Sequence, residues 1–215
     1  MMAMTKLVIF DWDGTLCDSV ARISSCIQLA AAESQLSVPS RKSAANIFGL
    51  GLPEATNQLF PGIDEQKAAL FTASYSAQFR AQDSAPCEFF DGVLETLSQL
   101  RAQGYLLAVA TGKSRAGLDR VLSAMNMSTF FDGSRCADET LSKPDPLMVN
   151  ELLAELLVSP DEVVMVGDTE FDLEMAQNAG IRSIAMTYGA HSKKRLAAFE
   201  PMACLDNFKN IVNYL

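Results

Sequence analysis

Asp11 and Asp13 lie in the stretch Leu7-Val8-Ile9-Phe10-Asp11-Trp12-Asp13-Gly14-Thr15, where four apolar residues run directly into two carboxylates, a glycine and a threonine. In extended backbone, residues two apart project to the same side, so both acids face one crevice and Trp12 points away from it. Gly14 lets the chain turn and lets a ligand approach backbone N–H groups, and Thr15 adds a hydroxyl. A strand followed by an ordinary polar turn would need neither the alternation nor the second acid.

Three further segments carry polar groups suited to the same crevice. Gly167-Asp168-Thr169-Glu170-Phe171-Asp172 follows the run Val163 to Val166 and opens a helix. Asp168 and Asp172 are four apart and share a face if both lie in its first turn, although acids there can serve only as complements to the helix dipole. Thr111-Gly112-Lys113 ends the run Leu106 to Ala110 and precedes a helix, a junction that makes an anion cradle from a hydroxyl and free N–H groups. Thr111 as a simple N-cap is the competing reading. Lys143, in Ser142-Lys143-Pro144-Asp145, taken alone reads as a solvated surface residue.

Charge links these pieces. If Asp11, Asp13, Asp168 and Asp172 converge, their mutual repulsion raises some of their pKa values unless Lys143 offsets one charge and a divalent cation two more. With oxygen ligands and no His or Cys cluster, that cation should be hard, hence Mg²⁺. Mg²⁺ beside an Asp, an anion cradle and a Lys points to phosphoryl transfer.

The elements needed to position these groups are legible around them. Short continuous apolar runs at Leu7 to Phe10, Leu106 to Ala110, Val163 to Val166 and Ser183 to Met186, with a weaker one around Gly133 to Ala137, suit strands buried on both faces. Between them the period is helical: Val93, Leu97 and Leu100; Leu118, Val121, Leu122 and Met125; Val149, Leu152, Leu153, Leu156 and Leu157; Phe171, Met175, Ala176 and Ala179. The alternation predicts an α/β fold, a Rossmann-like parallel sheet whose strand ends bear the site. Residues 19–85 do not alternate. Val20, Ile23, Ile27, Ala30 and Ala31 form one helical stripe and Phe71, Tyr75 and Phe79 another, with turns at Pro39, Gly49 to Pro53 and Pro61-Gly62. This predicts a helical cap at 19–85 inserted into a catalytic core of 1–18 and 86–215.

Composition narrows the partners. The 215 residues are 49% hydrophobic with a formal net charge of -9, which disfavours nucleic acid or an anionic membrane surface and favours a small molecule. The N-terminal apolar run is too short for a signal peptide, and no run approaches the roughly 20 residues of a spanning helix, so the expected location is cytoplasmic. The cysteines Cys17, Cys26, Cys87, Cys136 and Cys204 are scattered and odd in number, and read as reduced, mostly buried thiols. His191 is the sole histidine, which removes most His-dependent catalysis; its position past the last strand reads as a surface loop. Oligomeric state has no signature in the chain.

Taken in order, Asp11-Trp12-Asp13-Gly14-Thr15, Thr111-Gly112, Lys143-Pro144 and Gly167-Asp168-Thr169-Glu170-Phe171-Asp172 resemble the four motifs of the haloacid-dehalogenase-like hydrolases, and the helical insertion resembles the small cap of their phosphoglycolate-phosphatase-like branch. The resemblance implies that Asp11 is the nucleophile, forming an aspartyl-phosphate, and that Asp13 protonates the leaving oxygen and then activates water. It implies that Thr111, the Gly112 N–H and Lys143 hold the phosphoryl group. Mg²⁺ would be bound by Asp11, Asp168 and the Asp13 carbonyl, with Asp172 supporting the metal site or orienting Lys143. The presence of Asp13 speaks against dehalogenation, since a departing halide needs no acid. The expected activity is a phosphatase acting on a small phosphorylated metabolite; a phosphomutase, a pyrophosphatase and a non-catalytic phosphate-sensing or partner-binding domain are the alternatives.

Specificity is expected from the cap. The turn Phe48-Gly49-Leu50-Gly51-Leu52-Pro53 is a candidate substrate-facing loop, a plain helix connection being the alternative. Arg22, Arg41, Lys42, Lys113 and Arg115 could meet a second anionic group, but most read as solvated. Cys17 reads as an inert buried thiol. Where the resemblance would place a Pro-aromatic-Pro-Gly hinge, the chain has Glu88-Phe89-Phe90-Asp91-Gly92, which leaves the hinge position open.

Overall fold

The computed structural model describes residues 4–81 and 88–215. Six parallel strands form one sheet in the order β3-β2-β1-β4-β5-β6, with β1 at Leu7–Phe10, β2 at Leu106–Thr111, β3 at Gly133–Cys136, β4 at Val163–Gly167, β5 at Arg182–Met186 and β6 at Cys204–Leu205. β1 and β4 are buried throughout, as expected for central strands covered on both faces. Side chains alternate between two apolar layers. Val8, Phe10, Trp12, Leu107 and Val109 pack with helices α5 (Val93–Ala102) and α6 (Arg115–Ala124). Leu7, Ile9, Ala108, Ala110 and Met165 pack with α7 (Leu147–Leu156) and α8 (Glu170–Asn178).

That alternation carries through into the site. Trp12 continues the first layer, its ring 6.0 Å from Phe89 and 6.1 Å from Phe131, so Asp11 and Asp13 lie on the other side of the strand end. Phe10 is in register with Val109 on one neighbour and Val166 on the other, and the Asp11 N–H donates to the Val166 carbonyl at 3.0 Å. Asp11, Thr111 and Asp168 therefore emerge side by side. From β1 the chain passes to β2 and β3 on one flank and returns to β4 on the other, and the site sits at this reversal.

The strand and helix readings match these elements. The weak run at Gly133 forms an edge strand, whereas β6 was not anticipated because two residues are too few for periodicity to register.

Among the described residues between β1 and α5 stand four helices: α1 (Val20–Glu33), α2 (Arg41–Ala45), α3 (Leu52–Leu59) and α4 (Glu65–Ala81). They enclose their own apolar cluster of Ile23, Ile27, Ala44, Ile47, Phe48 and Phe71, with Phe60 and Phe71 rings edge to face at 5.1 Å. The chain segments entering and leaving this unit pair with each other: the Asp18 N–H donates to the Glu88 carbonyl at 2.9 Å and the Phe90 N–H to the Leu16 carbonyl at 3.0 Å. The expected boundary at 85/86 and Cys87 lie outside the described residues. Cys17, Cys26 and Cys136 are buried thiols and Cys204 is half-buried. Among the described residues no helix is long and apolar enough to cross a membrane.

Candidate active site

Three of the strand ends and the N-terminus of α8 build the centre. Lys143, read in isolation as a surface residue, is instead buried: its Nζ donates to Asp11 Oδ1 at 2.7 Å and to Asp172 Oδ1 at 2.6 Å. A lysine taken out of water needs such partners, and two carboxylates supply them. Asp172 closes a capping box at α8. Its Oδ2 accepts from the Thr169 N–H at 3.0 Å and the Thr169 hydroxyl at 2.7 Å, so both of its oxygens are engaged. The capping and lysine-orienting roles are thus combined in one side chain.

Asp168 is fixed from both sides. Its Oδ1 accepts from the Thr15 hydroxyl at 2.8 Å and its Oδ2 from the Ala190 N–H at 2.7 Å. Gly14, at φ 89°, lies so close to this carboxylate that a side chain there would collide with it. Carboxylate oxygens of Asp11, Asp168 and Asp172 fall within 4.8 Å of one another, and Asp11 Oδ2 is buried without a hydrogen-bond partner among the described residues.

This crowding shifts the titrations. Burial holds the Asp11 carboxyl well above its ordinary range, with Asp172 and Asp168 adding to the rise against the pull of Lys143. Burial, then the Asp172 charge, push Asp168 up to about 7. Burial alone would lower the Lys143 ammonium, but Asp11 and Asp172 outweigh it and hold it above its usual value. A buried, unpaired carboxylate oxygen among three acids is what a hard divalent cation would relieve, so the donor set fits Mg²⁺.

Asp13 sits apart from that buried cluster. Both its oxygens accept from Lys113 Nζ, at 2.9 and 2.7 Å. Lys113 is therefore not solvated as its surface reading implied; its side chain is only 7% exposed and its ammonium lies 4.7 Å from the Phe79 ring centre. The available signal was its spacing, since Lys113 follows Thr111 by two residues as Asp13 follows Asp11. The Thr111 hydroxyl accepts from the Lys113 N–H at 3.2 Å. Of the other flagged cations, Arg115 pairs with Glu139 at 2.7 Å, Arg22 lies over the Phe79 ring at 4.5 Å, and Arg41 and Lys42 are exposed.

The helical unit meets the core directly above this floor. A side-chain carbon on Gly112 would come within 2.5 Å of the Leu50 carbonyl oxygen and 2.7 Å of the Gly49 carbonyl oxygen, so the turn at 48–53 faces the candidate cradle and only glycine fits beneath it. The Gly51 N–H donates to Ser142 Oγ at 2.7 Å, and Arg195 joins Glu170 in the core to Asn46 in the helical unit. His191 is a correction to its surface reading: it is 3% exposed, and Nδ1 accepts the Glu170 N–H at 3.0 Å. It caps the free end of α8 and packs 5.8 Å from Phe171, which explains its burial.

Between the two units lies a cavity of about 250 Å³, lined on one side by Asp11, Asp13, Thr111, Gly112 and Lys113 and on the other by side chains of α1, α3 and α4 and the 48–53 turn.

A family model for haloacid dehalogenase-like hydrolases matches residues 8–186. The chain is 36% identical over 213 residues to a protein named "Probable phosphatase IndB" of Dickeya dadantii, covering 97% of this chain and 93% of that one. It is 28% identical over 221 residues to a phosphoglycolate phosphatase of Aliivibrio fischeri, covering 98% and 96%. The crystal structure of a hydrolase from Pseudomonas syringae superposes with a TM-score of 0.88 at 18% identity, over 98% of this chain and 97% of that one, and shares the fold. The motifs at Asp11, Thr111, Lys143 and Asp168 all fall within the matched span, and the chain belongs to the haloacid dehalogenase-like hydrolase family.

Proposed function

We propose that the chain is a Mg²⁺-dependent phosphatase of a small phosphorylated metabolite, working through an aspartyl-phosphate on Asp11. The observation that carries this reading is the state of Asp11: one oxygen is pinned by buried Lys143, the other is buried without a partner, and the residue lines the cavity. Phosphatase names among the relatives support it.

A phosphoryl group would rest against the Thr111 hydroxyl, the Gly112 N–H and the Lys143 ammonium. An Asp11 oxygen attacks phosphorus, the bond to the alcohol oxygen breaks, and Asp13, which enters this step protonated and so with one oxygen released from Lys113, gives the alcohol oxygen its proton. Asp13, now a carboxylate, takes a proton from water as the water attacks the same phosphorus, releasing inorganic phosphate and restoring Asp11. Lys113, bonded to both Asp13 oxygens, positions that carboxylate. Asp11, Asp168 and the Asp13 carbonyl would hold Mg²⁺, with Asp172 keeping Lys143 in place. When bound, the cation supplies neutralising charge for the phosphoryl oxygens and for the buried acids. A mutase is less well supported, since its transfer between sugar oxygens would call for a further acid–base group, and the sole histidine is buried with Nδ1 occupied. A cytoplasmic location is part of this reading, supported by the odd number and scattered positions of the cysteines.

The test is phosphate release from a panel of esters and pyrophosphate, with Mg²⁺ and with EDTA. Turnover lost in EDTA and restored by Mg²⁺ is expected. Hydrolysis that proceeds equally well in EDTA, or no hydrolysis by folded, Mg²⁺-loaded protein, would overturn the proposal.

A further inference from the structure

The cavity's two sides differ in what they can recognise. The core side presents the phosphoryl-handling groups. The opposite wall is built from Ile23, Ile27, Phe48, Phe71, Tyr75 and Phe79, four of them aromatic. Among the described lining residues the cations are Lys113, Arg80 and Arg120. The Lys113 ammonium is held by both Asp13 oxygens, the Arg22 guanidinium lies over the Phe79 ring at 4.5 Å beside the wall, and Arg80 and Arg120 are exposed. A second anionic group driven against Phe48, Phe71 and Tyr75, the carboxylate of phosphoglycolate or the second phosphate of pyrophosphate, would lose its water against side chains that carry no positive charge.

Size points the same way. An apolar protein cavity of roughly 150 Å³ suffices for benzene. This cavity, at about 250 Å³, has room for a group of that size beside a phosphoryl group. Rings around it offer tilted and edge contacts as well as burial.

We propose that the substrate is a phosphate monoester of an apolar alcohol, aromatic or branched aliphatic, selected by the wall that Tyr75 and Phe79 present in front of buried Phe48 and Phe71. The proposal rests on the phosphatase reading and narrows its small phosphorylated metabolite to an ester of an apolar alcohol.

The test compares kcat/KM for benzyl phosphate, phosphoglycolate and pyrophosphate. Benzyl and glycolate leaving oxygens are both primary alcohols, so their difference reports the wall and not the chemistry. Benzyl phosphate is expected to be preferred over phosphoglycolate by about tenfold or more, the value of burying one such side group. Ser76→Phe, on the cavity face of α4, fills the space. It should raise KM for benzyl phosphate severalfold while KM for phosphoglycolate stays within about twofold. Preference for phosphoglycolate or pyrophosphate would overturn the apolar selection and leave the phosphatase intact. Calorimetric binding to Asp11→Asn protein separates the two claims. Tighter binding of benzyl phosphate by this variant, with no ester turned over by the unsubstituted Mg²⁺-loaded protein, would uphold the wall and overturn the phosphatase, and equal binding of all three compounds would overturn the wall.

Discussion

The floor and the roof of the cavity are built on opposite principles. The floor gathers charge in a dry place: Asp11, Lys143, Asp168 and Asp172 are each at most 1% exposed, and nearly every polar atom has a fixed partner. The roof is a helical layer of aliphatic and aromatic side chains on α1 and α4, closed over the floor by a glycine-bearing turn. A preorganised electrostatic floor can serve many phosphate esters, because it meets only the group they share. The roof meets what differs among them. Substitutions in the floor should therefore act on rate and stability together, and substitutions in the roof on substrate choice.

The sharpest way to break that division is Asp11→Asn. It keeps the shape of the residue and removes the proposed nucleophile, so turnover should fall by about 1,000-fold or more while the circular dichroism spectrum is unchanged. Comparable turnover in the variant would move the chemistry away from the floor.

Lys143→Met comes next. It leaves Asp11 and Asp172 buried without their shared cation, and a broken buried pair costs about 3–5 kcal/mol. Chemical denaturation should show a loss of that order, with part of it recovered on adding Asp172→Asn. No loss would mean that the three groups are not coupled.

A smaller effect should follow from pH. Asp11 and Asp168 are raised above their unfolded values by burial, so the metal-free fold keeps their contribution while they are protonated and loses it as pH rises, through about 7 for Asp168. The rise in Tm produced by Mg²⁺ should therefore be greater at about pH 8 than at about pH 5.5. A rise that does not grow with pH would contradict a cation bound at these acids.

The mildest change belongs to the roof. Leu59→Ala shortens one lining side chain and should raise KM for an apolar ester by about three- to tenfold, with kcat altered by less than about twofold. A larger change in kcat than in KM would blur the distinction between the two surfaces.

The two regions also differ in how far the sequence alone marks them. Asp11, Asp13, Thr111 and Asp168 stand at the ends of short apolar runs, so periodicity alone placed them at one edge of a sheet. Lys143 carries no such mark; its burial depends on Asp11 and Asp172, which lie 132 and 29 residues away. The cluster that buries His191 and the backbone N–H of Ala190 on Asp168 are tertiary in the same way. In the roof, Phe71, Tyr75 and Phe79 were visible as a helical stripe, but a stripe that packs a core and one that lines a cavity have the same spacing. Only the placement of α4 over the strand ends separates them.

The central claim is covalent transfer of the phosphoryl group to Asp11, and the most direct measurement is to trap it. Asp13→Asn protein would be mixed with Mg²⁺ and an aryl phosphate whose leaving group needs no proton, quenched in acid, and mapped by mass spectrometry. A phosphorylated peptide containing Asp11 is expected to accumulate, because water no longer has its base. Phosphate release with no label on Asp11 at any time during the first turnover would contradict the mechanism.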